Sequence, residues 1–253
     1  MLVDSHAHLL MLDVSPEEAV EEARGAGVGV VVNIGTDAED SRKGVALAAA
    51  LPHVCTTVGI HPHNAHAYTA SDLEAVAELS ESPGVVAIGE VGLDYYRGRE
   101  TGEAQRALFE DEISLANDLR MPLVIHCREA FEDVMSLLSG ARVPVVLHCF
   151  EGGRREVEEA KERGYYIGLT GNVTYKNSRT AGVLDLIDAE RLLLETDSPY
   201  LSPRPVRGRR NRPANVVHTA RFVAERLGVP EEEIARTTTA NARRLFGLPP
   251  EVE

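Results

Sequence analysis

Residues 122–149 read PLVIHCREAFEDVMSLLSGARVPVVLHC, and the fold turns on this stretch. Pro122 to Ile125 and Pro144 to Leu147 are short aliphatic runs of strand type, each opened by a proline and followed directly by a histidine, His126 and His148. Between them, Ala130 to Leu138 carries a helical pattern. Strand, helix, strand at this spacing is a βαβ unit with parallel strands, which places the two histidines at the same end of the sheet.

The alternation extends to both ends of the chain. Upstream, strands are expected at Val3 to His6, Val28 to Ile34, Val54 to Ile60 and Val85 to Ile88; downstream, at Tyr165 to Leu169 and Arg191 to Leu194. Helices fall between them. One opens at Ser15-Pro16-Glu17-Glu18, with Ser15 as N-cap and Pro16 in the first turn. Others cover Ala38 to Ala50, a segment opened by Ser71-Asp72-Leu73-Glu74 read as a capping box, Glu103 to Leu119, Arg154 to Arg163 and Thr180 to Ile187. The chain ends in helices expected at Ala214 to Leu227, Glu231 to Thr237 and Ala240 to Phe246.

Eight strands alternating with helices, without a linker or composition break, predict an α/β protein: a single-domain (β/α)₈ TIM barrel over residues 1–253 with extra C-terminal helices. A doubly wound open sheet is the alternative. Composition agrees with buried parallel strands. Hydrophobic residues make up 43% of 253, aromatics only 5%, and there is no Trp, so the core is expected to be Val, Leu, Ile and Ala.

Other classes are disfavoured. Lys and Arg number 26 against 40 Asp and Glu, a net charge of −14, which argues against a protein that coats nucleic acid by neutralising phosphates. No run approaches the roughly 18 apolar residues of a membrane span, and no basic segment precedes an apolar one at Met1 to His6, so the expected location is the cytoplasm with no membrane partner. Cys55, Cys127 and Cys149 are an odd count without CxxC spacing, read as buried free thiols.

The metal-capable residues all fall at C-terminal strand ends. His6 and His8 end the first strand, His61 and His63 the third, Glu90 the fourth, His126 the fifth and His148 the sixth, while Asp197 follows the eighth. In a parallel barrel these ends share one rim, where active sites are built. His6 and His8 are two apart on a strand and so face the same side. Taken singly, each residue has an ordinary role: a hydrogen-bonded histidine, a helix cap at Glu90, a turn at Asp197 before Ser198-Pro199. Six at one rim point instead to a metal site. His6, His8, Glu90, His126, His148 and Asp197 offer more ligands than one catalytic ion with open positions needs, and two divalent ions fit better. The mixed imidazole and carboxylate set suits Zn²⁺ or Mn²⁺, and a site richer in carboxylate and water would suit Mg²⁺.

The motifs Asp4-Ser5-His6-Ala7-His8-Leu9, Val58-Gly59-Ile60-His61-Pro62-His63, Gly89-Glu90-Val91-Gly92-Leu93-Asp94-Tyr95-Tyr96, Pro122 to Arg128, His148-Cys149-Phe150 and Glu195-Thr196-Asp197-Ser198-Pro199-Tyr200-Leu201 together resemble the TatD family of metal-dependent deoxyribonucleases. They follow the family's order over residues 4–201, and residues 210–215 extend the match. The resemblance implies an amidohydrolase-like barrel with a binuclear centre: His6, His8, Glu90 and Asp197 on one ion, Glu90, His126 and His148 on the other. It makes Glu90 the bridge and sets His61 beside the metals, against the substrate phosphate or nucleophile. It also implies a Mg²⁺-type nuclease, often a 3′→5′ exonuclease on single strands. Two positions depart from the family pattern: Glu151-Gly152-Gly153 after His148-Cys149-Phe150, and Arg212 where a Glu is usual. Both fall in rim loops.

The segment from Arg204 to Pro213 holds five Arg in nine positions. It reads either as a solvated loop or as a phosphate grip, because guanidinium groups bind phosphate bidentately. Arg207, Arg209 and Arg210, with Arg128 after the fifth strand, are the candidate substrate contacts. The acidic remainder of the chain would confine binding to strand ends of DNA. Tyr95, Tyr96 and Tyr200 either stack on bases or pack under rim loops. The expected chemistry is water attack on a phosphodiester, with Asp197 as ligand and proton acceptor and His61 and Glu90 in the same catalytic group. Glu195, two residues before Asp197, either orients a ligand or is structural. Two other readings stand beside this one: a barrel hydrolase cleaving an ester or amide, including an aminoacyl-tRNA ester, and a nonenzymatic nucleic-acid binder.

Overall fold

The computed structural model describes residues 1–248. Eight strands form one parallel sheet whose order follows the chain: β1 (Leu2–Ala7), β2 (Val28–Asn33), β3 (Val54–Val58), β4 (Val85–Asp94), β5 (Leu123–Arg128), β6 (Val145–Leu147), β7 (Tyr166–Leu169) and β8 (Leu192–Leu194). The last strand returns to the first. Ala7 bridges Ser198 in parallel, the Asp197 N–H donates to the His6 carbonyl at 2.8 Å, and the His8 N–H donates to the Ser198 carbonyl at 2.8 Å. This is the (β/α)₈ barrel expected from the alternation, and the open-sheet alternative is set aside. Intervening helices are α1 (Pro16–Gly25), α2 (Ala38–Ala50), α3 (Ala70–Ser80), α4 (Tyr95–Gly98), α5 (Gly102–Leu119), α6 (Phe131–Leu137) and α7 (Arg154–Glu162), with α8 (Val216–Leu227) and α9 (Glu231–Phe246) at the C-terminal end.

The chain groups into two compact units, Met1–Val32 with Cys149–Glu253, and Asn33–His148. In the first, Ala7, Leu9, Val32, Leu169, Leu193, Val216 and Val223 are buried. In the second, Val58, Ile88, Val91, Leu93, Phe109, Leu123, Ile125 and Val134 are buried. Each core is mainly aliphatic, as the composition implied; Phe109, Phe150, Tyr166 and Phe246 are buried aromatics among the described residues. The three thiols are free and half-buried rather than fully buried.

Four local expectations are corrected. First, β4 does not stop at Ile88 but runs on to Asp94, so Glu90 lies inside a strand rather than at its end. The pairing with β5 shifts register between Ile88 and Val91 and then resumes from Val91↔Ile125 to Asp94↔Arg128. Gly92 makes this possible: at φ +131° it lies against the His126 carbonyl, where a side chain would collide. Second, α3 is capped two residues earlier than read, at Thr69, whose N–H donates to the Asp72 carboxylate at 2.8 Å.

Third, Thr180 to Ile187 forms two short 3₁₀ turns, not an α-helix, and Thr180 is tied by its hydroxyl to the Phe150 and Gly152 carbonyls. Fourth, the two expected terminal helices are one. The Thr-rich joint at 237–239 has poor helix propensity, but Thr239 donates to the Met1 carbonyl and Asn241 to the Ala189 and Leu192 carbonyls. Tertiary bonds outweigh propensity there.

Candidate functional site

In the first unit, β1 and the turn after β8 bring His6, His8 and Asp197 together. His6 is fully buried and His8 nearly so, and their ring centroids lie 5.2 Å apart. Both approach one oxygen of Asp197: His8 Nε2 is 3.3 Å from Oδ1 and His6 Nε2 is 3.7 Å from it. Asp197 has φ +53°, a left-handed conformation that is uncommon away from glycine and is found where a side chain must be aimed. The residue before it is anchored from below. Thr196 donates both its N–H (2.8 Å) and its hydroxyl (2.6 Å) to Asp4. Burial pushes the Asp4 carboxyl up to about 8, against the lowering effect of the Thr196 and His6 hydrogen bonds, so this acid serves as a buried clamp two residues before His6. Glu195 accepts from the Cys149 N–H and from the Ser5 hydroxyl, bonds that fit the structural one of its two readings.

In the second unit, β3, β4, β5 and the residue after β6 converge on Glu90. Three imidazoles address one of its oxygens: His126 Nδ1 at 2.7 Å, His148 Nε2 at 3.0 Å and His61 Nε2 at 3.7 Å from Oε1. Glu90 itself is 2% exposed. Its N–H donates to the Gly35 carbonyl and the His148 N–H donates to the Ile125 carbonyl, so both residues are fixed by the sheet. His61 begins a 3₁₀ turn at Pro62–Asn64, where its Nδ1 accepts the His63 N–H. That bond leaves the proton on Nε2, the nitrogen turned toward Glu90.

Beyond Glu90 lies a second carboxylate that the site assignment from sequence left out. Asp94 Oδ2 is 2.9 Å from His63 Nε2 and 3.2 Å from His126 Nε2, and its Oδ1 accepts the Arg97 N–H. Burial alone would raise the Asp94 pKa, but the His126, Arg97 and His63 hydrogen bonds hold it well below the usual carboxylate range. Burial disfavours a charged His126, yet the bonds to Asp94 and Glu90 prevail and its pKa is raised. The missing signal was spacing: Glu90, Gly92 and Asp94 stand at i, i+2 and i+4, which becomes visible only once β4 is known to extend that far. An open pocket of about 480 Å³ adjoins His63 and is lined also by His66, Arg97, Gly98, Glu100 and Thr101.

The donor chemistry fits divalent ions. Imidazole nitrogen and carboxylate oxygen are ligands for first-row and alkaline-earth cations, and the ligand atoms of His61, Glu90 and His126 lie within 4.8 Å of one another. Three imidazoles, His148 buried and His61 and His126 half-buried, face a single carboxylate oxygen, an arrangement that suits a cation between them.

The four arginines named from sequence are in unlike settings. Arg128 closes β5 with its guanidinium carbon 4.0 Å from the Tyr96 ring centroid. Arg207 lies 4.3 Å from the Tyr175 centroid, Arg210 donates to the Met11 carbonyl at 2.8 Å, and Arg209 is exposed. Arg212, at the position that departs from the family pattern, forms ion pairs with Asp13 and Glu22. Buried Asn211 fastens the same loop by donating to the Thr196 carbonyl at 2.9 Å.

Comparison with known proteins finds relatives over nearly the whole chain. The family described as TatD related DNase matches residues 3–247. The 3′-5′ ssDNA/RNA exonuclease TatD of Citrobacter rodentium is 41% identical over 241 residues, covering 92% of each chain. The metal-dependent hydrolase YabD of Bacillus subtilis is 38% identical, covering 98% of this chain and 100% of its own. Among solved structures, the TatD homolog YJJV of Escherichia coli K12 superposes with a TM-score of 0.92 at 29% identity, over 98% of both chains.

Proposed function

The chain belongs to the TatD-related DNase family, and on that premise we propose that it is a divalent-metal-dependent nuclease that removes nucleotides from the 3′ end of single-stranded DNA or RNA. The observation that carries this reading is the convergence of His126 and His148, with His61 beside them, on one oxygen of Glu90. The proposed ligands are His6, His8 and Asp197 for one ion and Glu90, His126 and His148 for the other, with Mg²⁺, Mn²⁺ or Zn²⁺ as the candidates.

Bound divalent ions would make water a nucleophile near neutral pH and offset charge that builds on phosphate oxygens. The chain's own residues supply the rest. Asp197 accepts a proton, aimed by its left-handed backbone and held by the Asp4–Thr196 clamp. His61, with its proton on Nε2, donates toward the reacting phosphate. Arg128, Arg207, Arg209 and Arg210 are the proposed phosphate contacts.

Two further points belong to the same proposal. The family match runs without interruption across both compact units, which supports one functional domain. No helix among the described residues is long and apolar enough to cross a membrane, and three unpaired cysteines fit a reducing compartment such as the cytoplasm. The direct test is digestion of 5′-labelled single-stranded oligonucleotides with Mg²⁺, Mn²⁺ or chelator. A ladder that shortens one nucleotide at a time from the 3′ end is expected only with metal. No metal-dependent product from DNA or RNA would overturn the proposal and turn attention to ester and amide substrates.

A further inference from the structure

The geometry points to a nucleotide-stacking step made by Tyr96 and Arg128, in which an unpaired base lies on the Tyr96 ring and the adjoining phosphate is held by Arg128. The inference rests on the nuclease reading above and specifies where the strand is gripped.

Tyr96 stands in α4, the single helical turn that follows β4 directly, and it is 59% exposed. Tyr200 is exposed to a similar degree, at 52%, but Tyr96 differs in carrying a guanidinium on its ring face. Its neighbour Tyr95 differs: that hydroxyl donates to Asp133 at 2.6 Å, and Asp133 also pairs with Arg106, so Tyr95 is structural. Arg128 sits opposite Asp94 in the parallel register and places its guanidinium over one face of the Tyr96 ring. The exposed area of Tyr96 therefore belongs to the other face and the hydroxyl edge.

Arg128 has no carboxylate partner among the described residues, although the chain carries an excess of acid. A guanidinium stacked on an aromatic ring keeps its N–H edge for hydrogen bonding. Arg128 also lies two residues beyond His126 on β5, on the same strand face. A strand whose phosphate approaches His126 thus meets the Arg128 edge next, and the following base meets Tyr96. Every base has a π face, so such a step tolerates any sequence but requires a base.

The test is binding of a labelled single-stranded oligonucleotide by fluorescence anisotropy, in chelator so that no cleavage intervenes. It compares wild type, Tyr96→Ala, Tyr96→Phe and Arg128→Gln, each on an ordinary strand and on one whose terminal residues are abasic. Tyr96→Ala is expected to weaken binding of the ordinary strand roughly 5- to 150-fold, the range of one base–aromatic stack. Tyr96→Phe should stay near wild type. On the abasic strand, Tyr96→Ala and wild type should be equal. Arg128→Gln should weaken both strands and lower the slope of log affinity against log salt by about 1.

Undiminished binding by Tyr96→Ala, or an equal loss on ordinary and abasic strands, overturns the stacking step. A wild-type chain that shows this binding pattern yet cuts no strand when metal is restored keeps the step and overturns the nuclease reading alone. Thermal melting checks folding, which an exposed ring should not affect.

Discussion

Glu112 offers a quantitative test of how the candidate site is supported. It lies on α5 with its side chain fully buried; one oxygen accepts the Ile60 N–H at 2.8 Å, and the other has no partner among the described residues. Burial pushes its carboxyl well above the ordinary 4.5, against the lowering effect of the Ile60 bond and with some help from Asp111. The folded chain therefore keeps a proton that the unfolded chain loses. The stabilisation is complete below the unfolded pKa and is lost as pH rises toward the folded one. One proton corresponds to about 1.4 kcal/mol per pH unit within that window. Glu112→Gln keeps an acceptor for Ile60 and removes the titration. Urea unfolding in chelator at several pH values above 4.5 should show the variant gaining on wild type by about 1.4 kcal/mol for each pH unit inside the window. Parallel pH dependence of the two proteins would refute a neutral buried Glu112. Glu112→Ala should follow the same pH trend as Glu112→Gln but lie about 1–3 kcal/mol below it, because it strands the Ile60 N–H, and it should lower turnover through the adjacent His61.

Gly92→Ala should destabilise the chain by more than about 2 kcal/mol and weaken metal binding, since the residue has φ +131° and its Cβ would collide with the His126 carbonyl; a variant with wild-type melting and activity contradicts the β4–β5 register. Thr196→Val removes the 2.6 Å bond to Asp4 and should cost about 1–3 kcal/mol in urea unfolding. Arg209→Gln should reduce the salt dependence of oligonucleotide binding by about 1 in slope. Arg212→Gln, already engaged by Asp13 and Glu22, should leave that slope unchanged and lower stability by no more than about 1 kcal/mol. Equal slopes for wild type and Arg209→Gln would remove that arginine from the substrate contacts.

The barrel was legible because it depends on short-range pattern, and the same pattern named the residues proposed as ligands. Residues 122–149 already hold strand, helix, strand and two strand-end histidines, and repetition of that unit dictates the sheet order. What was not legible depended on contacts far apart in sequence. The strand expected to stop at Ile88 instead shifts register and carries Glu90 and Asp94 onward, with Gly92 at a φ of +131° against the His126 carbonyl. Asp94 was quoted within a motif, but its role needs His63 and His126, 31 and 32 residues away along the chain. The 237–239 threonines read as a helix break until their partners at Met1 and near β8 are seen. Arg128 reads as a phosphate contact by charge, and only its position over Tyr96 shows that it also backs an aromatic surface.

The central claim is that the histidine and carboxylate groups hold divalent ions that the reaction requires. The most direct measurement counts Mn²⁺ bound by the metal-stripped chain and by its Asp197→Asn and Glu90→Gln variants, with single-strand digestion followed in the same samples. The account predicts two ions per wild-type chain, fewer in each variant, and digestion lost in both. Wild-type digestion rates in chelator, or full metal content and undiminished digestion in both variants, would contradict it.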